Sequence, residues 1–348
     1  MSPIDLEEDP IRKRLELMIA PVAEMFNSLH VLADPSHHLS NQEWAQDAFA
    51  SMPLDLREEV VYFGRNFDEW LEIADITNLV KPTDISIPGF LKRVTDLPPE
   101  QVVDIALHGP GQSELPEYQQ REPSDPDILA ARSVAAENPT GFVTRLINVL
   151  QRYWIEVFAA EWERRRPLVE QRRTLEATRL DNMASVQWLT TLHNRISYEQ
   201  QNETLVFHKS QDLRFQLHNL ERILCIPSSF TAPHLMVGYA RKELTIYINV
   251  PLTIVTPERV PPGLLLVAQA LSDETRLRIF RSVLRRPHYT QELAVAMKLS
   301  EPTVSRHLKI LKAAKLVHSH KEGPVVLYSG TLEPVDQFPA LMREFLRG

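Results

Sequence analysis

The sequence predicts an α+β chain in two parts: a large, mainly helical N-terminal domain ending in a small antiparallel sheet, then a C-terminal winged helix-turn-helix. Three observations predict it. Apolar residues recur at helical spacing from about Pro10 to His193, the pattern changes to short β-branched and aromatic runs from about Tyr198, and residues 272 to 330 read as helix, helix-turn-helix and hairpin. The expected division is into residues 1–255 and 256–348.

The first helical stretch places Leu15, Met18, Val22, Met25, Phe26 and Leu29 on one face, with Pro21 as a break. NQEWAQDAFASM is a further helix after the loop ADPSHHLS, and Pro53 opens another that reaches about Ala74. Between residues 82 and 126, eight prolines leave room for two short helices, IPGFLKRV and EQVVDIAL, and the closing GPGQSELPEYQQREPSDP is expected to be a mobile loop. DILAARSVAAEN is a helix. Asn138 and Pro139 open a long one ending near Arg166, and Pro167 is expected to start the next. Trp154, Phe158 and Trp162, four residues apart, read first as core and second as the wall of an apolar effector pocket.

TLVFHK, DLRFQLH, RILCIPS, LMVGYA and LTIYINV supply the strands, and prolines 251, 257, 261 and 262 form a stiff linker. Cys225, the single cysteine, lies in an apolar strand and reads as a buried, inert thiol. His30, Asp34, His37 and His38 have a spacing that zinc could use, but turn and capping residues between two helices have the same composition, and no metal or cofactor is expected. No Gly-rich phosphate loop, G-x-S-x-G or H-E-x-x-H occurs, so the chain is not expected to be an enzyme.

In the C-terminal part, Ser272 is the expected cap of DETRLRIFRSVLRR, whose Leu277, Phe280 and Leu284 share a side. TQELAVAMKLSEPTVSRHLKILKAAK forms two helices around a turn at Lys298 to Ser300. Ser300 caps the second, and Pro302 sits in its first turn. Stepping 100° per residue puts Val304, Leu308 and Leu311 on one face. Arg306 and Lys309 point the opposite way, Thr303, Ser305 and Lys312 flank them, and His307 lies nearer the core stripe as a packing or phosphate-contacting residue. A solvated surface face would show this pattern too. A major groove also suits it, because Arg can read guanine and Lys can hold phosphate. LVHSHKEG and VVLYSG, turning at Glu322 to Pro324, form the wing.

ALSDETRLRIFRSV, TQELAVAMKLSEPTVSRHLKILKAAKLV and KEGPVVLYS resemble the winged-helix domain of the ArsR family of bacterial transcriptional regulators, over about residues 262 to 330. The resemblance implies a homodimer whose paired helices read a partly palindromic operator, usually as a repressor released by an effector. It assigns Thr303, Ser305, Arg306 and His307 to the recognition helix and Lys321 to the wing, and Thr290 and Gln291 complete the candidate DNA contacts. Helices near 263–271 and 335–346 match the family's dimerisation helices. The segment Gln291 to Met297 lacks the cysteines of metal-sensing members. Lys298 and Lys315 stand where the family commonly has glycine, so each is expected in a left-handed conformation. PVAEMFNSLHVLADPSHHLSNQEWA, LQRYWIEVFAAEWERRRPLVE and RILCIPSSFTAPH resemble an uncharacterised domain that precedes the winged helix in some large ArsR-type regulators.

The total charge is −8, unevenly spread: residues 260–348 hold thirteen Lys and Arg against eight Asp and Glu, a net of +5, which leaves −13 for the rest. A basic module on an acidic body fits nucleic-acid binding without wholesale wrapping. The acidic start and the absence of an 18-residue apolar run point to neither export nor membrane insertion, and one cysteine suits a reducing compartment, so the cytoplasm is expected. The expected function is a sequence-specific DNA-binding transcriptional regulator. Its expected partners are an operator duplex, a second copy and, where the body senses one, a small-molecule effector. The alternative is a winged helix serving as a protein-interaction module in a larger assembly.

Overall fold

The computed structural model describes residues 9–80, 86–109, 125–209, 211–252, 262–322 and 325–347. The expected mobile loop, most of the proline linker and the tip of the wing fall largely outside them. The chain divides into two units, Met1–Asp34 with Glu43–Val250, and Pro35–Gln42 with Pro251–Gly348. The later boundary between the two units lies after Val250. The second unit also takes in eight residues that a linear division assigns to the first.

The first unit runs β1 (Leu15–Leu17), α1 (Pro21–Ala33), α2 (Gln42–Ser51), α3 (Leu54–Asn66), α4 (Leu71–Ala74), α5 (Thr77–Val80), α6 (Ile87–Thr95), α7 (Pro99–His108), α8 (Pro126–Glu137), α9 (Pro139–Tyr153), α10 (Ala159–Asp181) and α11 (Ser185–Thr191). The sheet region follows as β2 (Ile196–Glu199), β3 (Thr204–Phe207), β4 (Leu213–Gln216), β5 (Arg222–Ser228), β6 (Val237–Ala240) and β7 (Glu243–Asn249). Helix α1 is central: every residue from Val22 to Leu32 is buried. It packs on α3, α4, α6 and β5, so its apolar residues meet neighbours on every side, as an all-round buried helix must.

The strands form two sheets. One is antiparallel, β2-β3-β4; the other is ordered β1-β5-β7-β6, with β1, β5 and β7 mutually parallel and β6 antiparallel to β7. Leu15–Leu17 is therefore a strand, in place of the expected helix. Three residues of L-E-L fit either period, and pairing with Ile223–Cys225 decides between them. Cys225 is fully buried, and burial pushes its thiol far up, as expected of an inert group. Pro167 lies inside α10, in place of starting a helix. Between α9 and α10 the residues Trp154–Phe158 form a π-helical turn. The turn leaves Tyr153, Phe158 and Trp162 buried in the helical core and Trp154 half-buried, which agrees with the core reading of the aromatic stripe.

The second unit runs α12 (Pro262–Leu271), α13 (Glu274–Arg285), β8 (His288–Tyr289), α14 (Thr290–Met297), α15 (Glu301–Ala313), β9 (Val317–Glu322), β10 (Val325–Gly330) and α16 (Glu333–Arg347). The hairpin β9-β10 gains a third strand, β8, on the β10 side. α12 packs against α16. Pro35–Gln42 joins them: a Cβ built on Gly263 would come 2.6 Å from Leu39 Cδ2, Gln337 Nε2 donates to the His37 carbonyl at 3.4 Å, and His38 and Asn41 are fully buried. The core comprises Val267, Ile279, Phe280, Val283, Leu293, Val304, Leu308, Leu311 and their neighbours. Leu277, expected in the α13 stripe, is 45% exposed, and Ile279 and Val283 bury instead. Leu308→Ala should lower unfolding stability by about 2–5 kcal/mol, measured by denaturant titration, with the winged-helix unit losing amide protection.

Candidate nucleic-acid interface

Helix α15 is the element that the rest of the second unit positions. Ser300 precedes it with extended backbone and Pro302 lies in its first turn, so helix entry is fixed as the sequence implies. The Ser300 hydroxyl meets the Thr303 hydroxyl at 2.8 Å in place of capping a backbone N–H. Val304, Leu308 and Leu311 are buried to within 1%. That stripe anchors the helix and turns its other side outward. Ser305, Arg306, Lys309 and Lys312 are exposed, with Thr303 and His307 half-buried at the margin. Gln291 is exposed and Thr290 half-buried at the start of α14, and Lys321 is exposed on β9. Every candidate contact is thus on α14, α15 or β9, and none is in the core.

Three details were not legible in the sequence. Lys312 Nζ donates to Ser319 Oγ on β9 at 2.6 Å, which ties the end of α15 to the wing. Only the tertiary pairing could reveal Ser319. The α13 cap is Asp273, whose carboxylate accepts from Arg276 N at 2.8 Å; Ser272, the expected cap, donates to the Gln269 carbonyl instead. That backbone hydrogen bond, with Arg276 and His307 nearby, holds the Asp273 carboxyl below its usual range. His307 Nδ1 lies 3.9 Å from Asp273 Oδ1 and is buried without a hydrogen bond. His307 thus faces the start of α13.

The two lysines in glycine positions adopt the expected backbone. Lys298 has φ 59° and Lys315 φ 58°, both left-handed, and both side chains are exposed. Of the histidine group, His30 lies on buried α1 with Nδ1 3.0 Å from the Glu69 carbonyl, whereas His37 and His38 belong to the second unit. Among the described residues no three His, Cys, Asp or Glu are grouped to hold a metal, and no helix is long and apolar enough to cross a membrane.

A three-helix core, a helix presenting a polar and basic face, and an adjoining three-stranded wing define a winged helix-turn-helix. The family models agree on both parts: one described as a family of unknown function (DUF5937) matches residues 2–253, and the bacterial regulatory protein, arsR family, matches 273–319. The chain belongs to the DUF5937 family and carries the winged helix of the ArsR family. Named relatives match short stretches of the chain. A transcriptional repressor SmtB homolog of Synechocystis sp. is 42% identical over 60 residues, 17% of this chain and 46% of its own length. The transcriptional repressor SdpR of Bacillus subtilis is 33% identical over 63 residues, 18% of this chain and 70% of its own. The chain therefore spans about half the length of the first of these relatives. A solved ArsR family transcriptional regulator, RHA00566, is 27% identical, covering 26% of this chain and 92% of that one with a TM-score of 0.23.

Replacing both lysines by glycine should relieve up to about 1 kcal/mol of strain at each. If each lysine holds a phosphate, the same change should lower DNA affinity and reduce the log–log salt slope by about 0.9 per contact. An unchanged slope in the double variant would assign the lysines no phosphate.

Proposed function

We propose that the protein is a homodimeric, sequence-specific DNA-binding transcriptional regulator, a repressor whose operator affinity is set through its N-terminal unit. The observation that carries this reading is the outward face of α15, where Arg306, Lys309 and Lys312 are exposed behind a fully buried Val304–Leu308–Leu311 stripe. Such a helix enters a major groove with a guanidinium at the base edges and ammonium groups at the phosphates. The names of the relatives, two of them repressors, support the repressor reading. In a dimer built on α12 and α16 the two α15 helices would meet half-sites about one helical turn apart.

Binding to DNA from immediately upstream of the coding region, compared with scrambled DNA across salt concentrations, tests the reading. Arg306→Ala should cost about 1–3 kcal/mol and relax specificity at one position, whereas Lys309→Ala should weaken all sequences alike and lower the salt slope by about 1. Equal, weak binding to both DNAs, with no preferred site emerging from random sequences, would favour the interaction module.

The segment Pro35–Gln42 supports regulation through the N-terminal unit, because it follows α1 directly in the chain yet packs on α12. Gly263→Ala, which displaces Leu39, should shift the operator affinity of the full chain by about 0.5–2 kcal/mol although it touches no candidate DNA contact. A folded variant with unaltered affinity would exclude this route.

A further inference from the structure

The outer face of the antiparallel sheet carries a serine, a histidine and an aspartate hydrogen-bonded in series. Alternation puts them there. Ile196 on β2, Phe207 on β3 and Leu213 on β4 are register partners buried in the core beneath the sheet. The residues beside them, Ser197, His208 and Asp212, therefore project from the opposite face. His208 N donates to the Arg195 carbonyl at 2.8 Å, which extends the ladder of β2 and β3 by one pair, and Asp212 immediately precedes β4.

Ser197 Oγ lies 2.8 Å from His208 Nε2, and His208 Nδ1 lies 3.2 Å from Asp212 Oδ1. A carboxylate only accepts, so in the neutral ring Nδ1 carries the proton, Nε2 keeps its lone pair, and the Ser197 hydroxyl donates to it. That is the polarity of an activated nucleophile: a hydroxyl held by a base that a third group orients. The His208 and Asp212 side chains are 48% and 46% exposed, so a small reagent reaches them without any opening of the fold. Arg214, the cation on the same face, is paired with Glu199, which favours an acyl over a phosphoryl donor.

One backbone donor stands beside the nucleophile for the charge that develops on an attacked carbonyl. In an antiparallel pair alternate residues turn their N–H groups away from the neighbouring strand. Ile196 N does so, donating to the His193 carbonyl, and Tyr198, two residues on, therefore does the same. β2 is an edge strand of its sheet, and among the described residues the Tyr198 N–H is bonded to no acceptor. Each missing donor costs acyl transfer about 10²–10³-fold. A single donor thus restricts the chemistry to esters with good leaving groups and leaves the acylated product slow to hydrolyse.

We propose that Ser197 is an acyl-acceptor site, activated by His208 and positioned through Asp212, that takes its acyl group from small activated esters. The bond from Ser197 Oγ to the carbonyl carbon forms as the bond to the leaving oxygen breaks. The hydroxyl proton passes to His208 Nε2 and from there to the leaving oxygen or to water. The site lies in the first unit, and its chemistry is independent of the DNA-binding reading.

The test incubates the full chain with p-nitrophenyl acetate and maps the adducts by peptide mass spectrometry. Ser197 should be acetylated roughly tenfold or more faster than any other serine. His208→Ala should slow that reaction about 10²–10⁴-fold. Asp212→Asn, which no longer fixes the tautomer, should also slow it, and Asp212→Glu should restore part of the rate. Thermal unfolding of each variant checks that these exposed substitutions leave the fold intact. Ser197→Cys supplies a second reading: its thiol should react with iodoacetamide faster than in the double variant with His208→Ala, against the buried Cys225 as internal reference. Adducts at other residues only, a Ser197 rate no higher than that of other serines, or a rate indifferent to His208 would overturn the site and leave a surface hydrogen-bond chain.

Discussion

The first unit depends on a helix that has almost no face toward solvent. α1 buries Val22 to Leu32 without interruption, and four of those residues, Glu24, Asn27, Ser28 and His30, are polar. Buried polar groups need partners, and here they come from far along the chain. Ser229 donates to Glu24, Asn27 donates to the Ser228 hydroxyl at 3.1 Å, Ser28 and Tyr153 hydroxyls meet at 2.8 Å, and His30 contacts the Glu69 carbonyl. The end of β5, the start of the π-helical turn and the turn before α4 are thereby all referred to one helix. That last turn is strained, since Asp68, Glu69 and Trp70 all have positive φ. Such a run costs on the order of 1–3 kcal/mol per residue and persists only where surroundings fix it. Fully buried Trp70, donating to the Val60 carbonyl at 3.1 Å, and the His30 contact supply that constraint.

The second unit works by local rules. Turn residues and apolar stripes of helical period set out its three motif helices and wing in the right order, although Leu277 and the Ser272 and Ser300 caps were misassigned. The recognition-helix wheel was legible residue by residue because one buried stripe suffices to orient a helix. The left-handed lysines were legible through the resemblance, because they stand where the ArsR family commonly has glycine. What was not legible is tertiary: Ser319 reaches Lys312 only after the wing folds back, and β8 pairs with β10 across the whole motif.

In the first unit the same reasoning succeeded for helices and failed at junctions. Helices α6, α7, α8 and α9 lie close to their expected places because Pro, Ser, Asp and Asn mark their starts. β1 was hidden because three residues hold no period. Pro167 misled because a proline ordinarily opens a helix, and a single missing N–H is tolerated inside the long α10. The antiparallel sheet showed itself by its β-branched and aromatic runs. The parallel pairing of β1 with β5 joins residues about 208 positions apart and leaves no local mark.

The eight residues Pro35–Gln42 bear most directly on how the proposed regulation could work. They follow α1 with no intervening loop and precede α2, yet their packing belongs to the winged-helix unit. A helix buried on all sides cannot shift without moving what holds its polar groups, and the groups that hold Glu24 and Asn27 stand at the carboxyl edge of the parallel strands. A change in those partners would therefore act on α1, and α1 passes directly into the segment whose Leu39 rests on Gly263. In the proposed regulation the continuity of the chain from α1 to Leu39 would carry such a change. It also explains why glycine stands at 263, in the first turn of a helix where alanine would otherwise favour helix formation: even one methyl group there would displace Leu39.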